Sequence, residues 1–398
     1  MLTNRIKKIK PSPTLALTAK AQEMAAKGDD VISLSVGEPD WNTLEVAVAA
    51  AENAIKNGMT KYAPANGLPA LRSAVATDYN DSFGLSYRPE EVTVTAGGKL
   101  LCYEVLQCLC ESGDEVIIPA PYWVSYPTFV EMSDGKSVFI QGPKENGYRI
   151  TATILRNAIT DRTKLLILNS PSNPTGEVYS KAELKEIAAV LMDHPKVFLM
   201  TDDIYNRLVF GGMKLAPHIL EVEPRLKDRT ICINGGSKSF SMTGWRIGWA
   251  LGPKEIIQGM SKLQSQTVSC AAPFTQLAAA AAIEKGRDEE KPLLEKLEKR
   301  MHLCLKQLRN IKGIEVREPG GAFYAWVDVS HFTNKSFGDV KIRNSSVFAE
   351  SFLEDQKVAV VPGIEFGMDG FLRLSFAVSE ERLAEAIRRL SKFISKLV

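Results

Sequence analysis

Seven short runs rich in apolar and β-branched residues, each closed by turn residues or a helical stretch, constrain this chain more than any other feature. They cover residues 92–95, 115–118, 137–140, 164–168, 197–201, 230–233 and 247–251. Several are continuous rather than alternating, the pattern of strands buried on both faces. Helical patterns, such as residues 181–192, lie between them. This alternation predicts an α/β fold with a mostly parallel sheet covered by helices on both faces.

The texture changes near residue 288. Residues 288–311 are charged with a helical apolar period (Leu293, Leu294, Leu297, Met301, Leu305, Leu308), with Pro292 expected in the first turn. Hairpin-like strands follow at 314–318, 322–327, 358–361 and 372–376, then an amphipathic helix from Glu380. The chain of 398 residues is long enough for two domains. We expect a large domain at 46–287 and a smaller α+β domain formed by both termini, 1–45 and 288–398.

Composition narrows the function classes. Lys plus Arg (49) nearly balance Asp plus Glu (47), which gives no support for nucleic-acid or membrane partners. The six cysteines include no CxxC pair and no histidine at zinc-finger spacing, so we expect reduced core thiols and no metal. The basic start lacks the apolar run of a signal peptide, and no uncharged apolar stretch is long enough for a membrane span. A cytoplasmic location is expected. The four histidines fall outside every motif below and receive no role.

Chemistry concentrates just past the strand ends. Lys238 follows Asn234, Gly235, Gly236 and Ser237, beyond the sixth run. A lysine desolvated among small residues can offer its amine to a carbonyl. Ser237 and Arg246 could bind a phosphate. A nucleotide-binding Walker loop would need glycine directly before the lysine, where the chain has Ser237. Asp202 closes the fifth run, where a carboxylate is costly without a partner or is simply a helix cap. Gly97, Gly98 and Lys99 lead from a strand into a helix, whose N-terminus favours an anion. Trp123 follows another strand, and Asn173 lies in a proline-rich loop that on its own reads as a turn. Arg373 sits in an apolar strand and needs an anionic partner if buried. Five of these segments follow strand C-termini, the edge along which open α/β sheets bind ligands.

Together these motifs resemble the class I aminotransferases, fold-type I pyridoxal-phosphate enzymes, from about Pro11 to the C-terminus. The resemblance implies that Lys238 carries the cofactor as an aldimine and later shuttles a proton between the substrate α-carbon and the cofactor C4′. Asp202 would then pair with the pyridine nitrogen, while Tyr205 and Asn173 hydrogen-bond the ring 3-oxygen. Trp123 would stack on the ring, and Gly97, Gly98, Lys99, Ser237 and Arg246 would hold the phosphate. Tyr62 resembles the tyrosine that reaches the phosphate of a neighbouring subunit, which implies a homodimer with shared sites. Gly37 and Arg373 would receive the substrate α-carboxylate, alongside Trp123 and Asn173. Asp203 stands where glutamate is commoner and is assigned no chemistry.

The implied activity is transfer of an α-amino group to a 2-oxo acid through pyridoxamine phosphate. Lys99 and the stretch Pro11 to Thr14 resemble prokaryotic-type aspartate aminotransferases, where the lysine binds a side-chain carboxylate. Thr14 with Lys99 also resembles members that use prephenate, so aspartate and 2-oxoglutarate, with prephenate as a further acceptor, are expected. The stretch Trp41 to Leu44, which keeps the common pattern only at Thr43, and Ala63 depart from it in nearby loops. An aminotransferase for aromatic or other amino acids, and a lyase on the same cofactor, remain alternatives. A cofactor-sensing regulator is disfavoured because about ten residues before Pro11 leave no room for a DNA-binding domain.

Overall fold

Strand β1 (Ile32–Ser33) precedes seven strands that form one sheet: β2 (Val92–Thr95), β3 (Glu115–Ala120), β4 (Lys136–Gln141), β5 (Thr163–Asn169), β6 (Phe198–Asp202), β7 (Thr230–Gly235) and β8 (Gly248–Leu251). Their order is β2-β8-β7-β6-β5-β3-β4. Strand β8 runs antiparallel to both neighbours, and the other four pairings are parallel. The α/β class and the seven expected strands are present, with ends moved by one or two residues. The computed structural model describes residues 1–3, 6, 7, 9, 11 and 13–398, and the side chains of 13–16 and 18 lie outside the described residues.

Period-two geometry explains why the central strands are apolar throughout. Leu166 and Leu168 enter one core with Val94, Leu199 and Leu251. Leu165 and Ile167 enter the opposite core with Val116, Met200 and Ile233. Successive side chains point to opposite faces, so a strand covered on both sides must be apolar at every position. Helices Pro69–Phe83, Lys181–Asp193 and Pro273–Lys285 contribute to the first core, and Gly98–Leu109 and Lys254–Ser265 to the second. Among the described residues, no helix is long and apolar enough to cross a membrane.

A third core forms largely from the C-terminal part of the chain. Leu297, Met301, Leu305 and Leu308 of helix Arg287–Leu308 pack there with Phe323, Phe348, Leu374 and Leu383. Ile32 and Leu34 join the same core. The helix begins one residue earlier than expected, so Pro292 lies inside it rather than in its first turn. Its missing N–H removes one hydrogen bond from the helix.

Strands β9 (Glu315–Val316), β10 (Tyr324–Asp328), β11 (Ser336–Phe337), β12 (Val340–Lys341), β13 (Val358–Ala359), β14 (Val361–Pro362) and β15 (Phe371–Ser375) follow. The run expected as a single strand at 358–361 is two. Strand β13 pairs with β1 in parallel, while β14 pairs with β15, so the chain changes sheet at Val360. The sheet β14-β15-β10-β9 sets Arg373 opposite Trp326 and Tyr324 opposite Ser375. The backbone N–H of Ser375 donates to Leu34 at 2.8 Å, which ties the N-terminal segment to this sheet.

Candidate active site

Strand β7 runs directly into a one-turn helix, Gly236–Ser239, that carries Lys238. The two glycines allow this turn to press against the next strand. A Cβ on Gly235 would stand 2.8 Å from the Ile247 carbonyl, and one on Gly236 would stand 2.9 Å from Met242 Sδ. The Lys238 ammonium donates to the Gly37 carbonyl and lies 6.0 Å from the Phe323 ring centroid. Burial lowers its pKa to about 8; Arg373 and Arg246 push the same way, against Glu38 and Asp202. The amine is thus far easier to deprotonate than a surface lysine.

Asp202 ends β6 and is buried. Its Oδ2 accepts from the Tyr126 hydroxyl at 2.5 Å, and its Oδ1 accepts from the Ile204 N–H at 3.3 Å. Burial raises its pKa to about 6, with the Tyr126 hydrogen bond opposing. Asn169 stands opposite Asp202 in the sheet register. It donates to the Asp202 carbonyl at 2.8 Å and accepts from the Asn173 N–H at 2.8 Å, so it joins the carboxylate strand to the proline-rich loop.

On one side of these groups, Trp123 stands edge-on to Tyr126 at 5.3 Å, and Lys99 Nζ lies 5.1 Å from the Trp123 ring centroid. Burial is the main cause that lowers the Lys99 pKa, with Arg246 adding to it. Gly97 has φ +96° and caps helix Gly98–Leu109. A Cβ there would come within 2.7 Å of Arg246 Nη2, so only glycine lets the guanidinium close over this turn. Arg246 Nη1 donates to the Thr243 carbonyl at 2.8 Å.

On the other side, Arg373 is 3% exposed, and its hydrogen-bond partners among the described residues are neutral. Its Nη1 donates to Asn173 Oδ1 at 3.0 Å and its Nη2 to the Ser35 carbonyl at 2.7 Å. Its Nε is buried without a hydrogen-bond partner among the described residues. The guanidinium lies 4.4 Å from the Tyr324 ring centroid and 5.1 Å from that of Phe366. Such a cation needs an anion, and none of the described residues supplies one. Tyr205 shares a 2.8 Å hydrogen bond with Tyr324.

A cavity of about 260 Å³ brings most of the expected residues together: Lys238, Asp202, Tyr205, Asn173, Trp123 and Arg373 line it. Gly37, Gly98, Lys99, Ser237 and Arg246 line it too. Tyr62 does not; it is 91% exposed. Thr14 begins a helix, Pro13–Ala26, but its side chain lies outside the described residues. Tyr126, Asn169 and Tyr324 were not assigned roles from sequence. Tyr126 lies close to Trp123 in the sequence and Asn169 close to Asn173, and their nearness to Asp202 is the missing signal.

Behind the site, Asp203 Oδ2 accepts from Tyr79 at 2.9 Å and from Thr201 at 3.1 Å, with His218 Nε2 at 3.3 Å. Asp203, His218 and Cys232 place one ligand atom each within 4.8 Å of one another. The N–H of Leu220 donates to His218 Nδ1 at 3.2 Å, which puts the ring proton on Nε2, toward Asp203. That is a hydrogen-bonded pair rather than a metal ligand.

Comparison with known proteins bears on this arrangement. The family described as aminotransferase class I and II matches residues 29–390. The aspartate/prephenate aminotransferase of Cereibacter sphaeroides is 43% identical over 397 residues, which cover 100% of this chain and 99% of that protein. The aspartate aminotransferase of Rhizobium meliloti superposes with a TM-score of 0.96 at 39% identity, over 100% of both chains. That of Thermus thermophilus with maleate gives 0.92 at 39% identity, over 99% of both chains.

Proposed function

The chain belongs to the class I and II aminotransferases, which are pyridoxal-phosphate-dependent, and from that premise we propose that it moves the α-amino group of L-aspartate to 2-oxoglutarate, with prephenate as a further acceptor. One observation carries the site assignment. An amine with its pKa lowered to about 8 and a buried carboxylate face the same cavity as a guanidinium whose partners among the described residues are neutral.

The donor set fits pyridoxal phosphate. Lys238 suits an aldehyde, Asp202 a cationic ring nitrogen, and the turn that only glycine permits beside Arg246 suits a phosphate. Bound there, the cofactor supplies a carbonyl for the amino group and a ring that spreads the charge left at the α-carbon. Asp202 would keep the ring nitrogen protonated, and Tyr205 and Asn173 would donate to the 3-oxygen. Trp123 would stack on the ring, while Gly97, Gly98, the backbone of Lys99, Ser237 and Arg246 would hold the phosphate. With the cofactor bound, the Lys238 amine would be the group that takes the substrate α-proton and hands it on. Arg373, with the Gly37 backbone, fixes the α-carboxylate and orients the reacting bond.

The aspartate preference rests on Lys99, whose ammonium at the Trp123 face can meet a second carboxylate. Relatives named for aspartate and prephenate, and one solved with the dicarboxylate maleate, support it. Thr14 is proposed to assist prephenate. An almost fully exposed Tyr62 is what a residue reserved for a neighbouring chain looks like, so we read the enzyme as a homodimer with shared sites. The domains are read as 46–287 and as 1–45 with 288–398, and the location as cytoplasmic.

A panel of amino donors and oxo acids tests the reading. Oxaloacetate should form from aspartate only when 2-oxoglutarate or prephenate is present. Pyruvate, ammonia and sulfide released from cysteine without an acceptor would instead indicate a carbon–sulfur lyase.

A further inference from the structure

Tyr324 belongs to none of the motifs that point to the cofactor, yet it touches three parts of the site at once. Its hydroxyl lies 2.8 Å from that of Tyr205. Its ring carries the Arg373 guanidinium at 4.4 Å. A Cβ on Gly37 would stand 2.7 Å from its hydroxyl, so that oxygen also sits against the Gly37 backbone. The residue is fully buried and lines the cavity.

Strand geometry fixes these contacts. Strand β10 pairs with β15 so that Tyr324 and Arg373 are diagonal neighbours, with Trp326 directly opposite Arg373. Diagonal neighbours on one face are within reach of long side chains. Ring and hydroxyl thereby serve different groups: the face supports a cation, and the tip meets a phenol.

We propose that Tyr324 is a positioning residue that joins the substrate-carboxylate anchor to the phenol controlling cofactor acidity. This rests on the roles given above to Tyr205 and Arg373. With Tyr205 donating into the cavity, its oxygen is free to accept from Tyr324. A phenol that accepts one hydrogen bond becomes a stronger donor in the next. The guanidinium over the ring draws on its electrons and strengthens the Tyr324 hydroxyl as donor, while the ring holds the guanidinium in place. No Tyr324 atom reacts; it acts through Tyr205 and Arg373.

Two substitutions separate the halves of the proposal. Tyr324→Phe keeps the ring and removes the hydroxyl, and Tyr324→Leu removes both. The readouts are the pH midpoint of the bound cofactor's visible absorption and the affinity of the holoenzyme for succinate, a dicarboxylate that cannot react. Tyr205→Phe should raise the midpoint by about one unit or more, and Tyr324→Phe should raise it by roughly half a unit. The double Phe variant should match Tyr205→Phe alone. Tyr324→Phe should leave succinate affinity within about twofold, whereas Tyr324→Leu should weaken it at least about fivefold.

A midpoint that moves in Tyr205→Phe but not in Tyr324→Phe would overturn the proposal while leaving Tyr205 in its role. Additive shifts in the double variant, or equal loss of succinate affinity in both Tyr324 variants, would overturn it as well. No shift in Tyr205→Phe would remove the assigned role of Tyr205, and the proposal with it.

Discussion

Asp202 should make the cofactor-free protein less stable as pH rises, and Asp202→Asn should relieve this. Burial raises the carboxyl from its ordinary 3.8 to about 6. The folded chain then holds this proton more tightly than the unfolded chain does. Its contribution to stability is therefore fully present below about pH 4 and is lost as pH rises through about 6. Between pH 4.5 and 7.5 the loss is on the order of 2 kcal/mol at about 1.4 kcal/mol per unit. Asparagine carries no proton to lose, so the variant should gain about that much on wild type over the interval. Pyridoxamine phosphate should bind the variant at least about 100-fold more weakly at pH 7.5, because a buried ion pair has lost one partner. Urea unfolding of both apoproteins, at one protein concentration and both pH values, measures the first effect; titration calorimetry measures the second. A stability difference between the two proteins that is equal at pH 4.5 and 7.5, or unchanged cofactor affinity, would refute the reasoning.

Tyr126→Phe removes the donor that favours ionised Asp202, so the carboxyl should move above about 6. Affinity for pyridoxamine phosphate should then fall more at pH 6.5 than at pH 8.5, and an equal fall at both would point to lost packing alone. Arg373→Leu should weaken every amino-acid substrate, by at least about 100-fold in kcat/KM for removal of a charged, bidentate contact. Lys99→Ala should weaken aspartate about tenfold or more and phenylalanine little, and equal losses would remove the distal-carboxylate role. Tyr62→Ala should lower cofactor affinity only if the neighbouring chain's site uses it. Mixed dimers of Tyr62→Ala with Lys238→Ala should regain one intact site, and failure to regain activity would contradict sharing.

Much of this was legible in the sequence because its signals are local. The continuous apolar runs give the strands, and the polar residue after each run gives the cavity wall, since parallel strands end on one edge. Lys238, Asp202 and Asn173 follow directly from that rule. The residues it missed are defined by partners far along the chain. Tyr126 matters because Asp202 lies 76 positions away, and Tyr324 because Tyr205 lies 119 away. Neither pairing has a sequence period. His218 was set aside for lying outside the motifs, yet it supports Asp203 from within the core. The reversed β8 and the break at Val360 escaped for a related reason: strand direction and sheet exchange depend on which neighbour a strand finds, not on its own residues.

The most direct test of the account is where the cofactor is attached. Protein loaded with pyridoxal phosphate, reduced with borohydride, digested and analysed by mass spectrometry should carry the pyridoxyl group on the peptide containing Lys238, and Lys238→Ala should carry none. A label fixed at another lysine, or one that persists in Lys238→Ala, would contradict the assignment on which the rest depends.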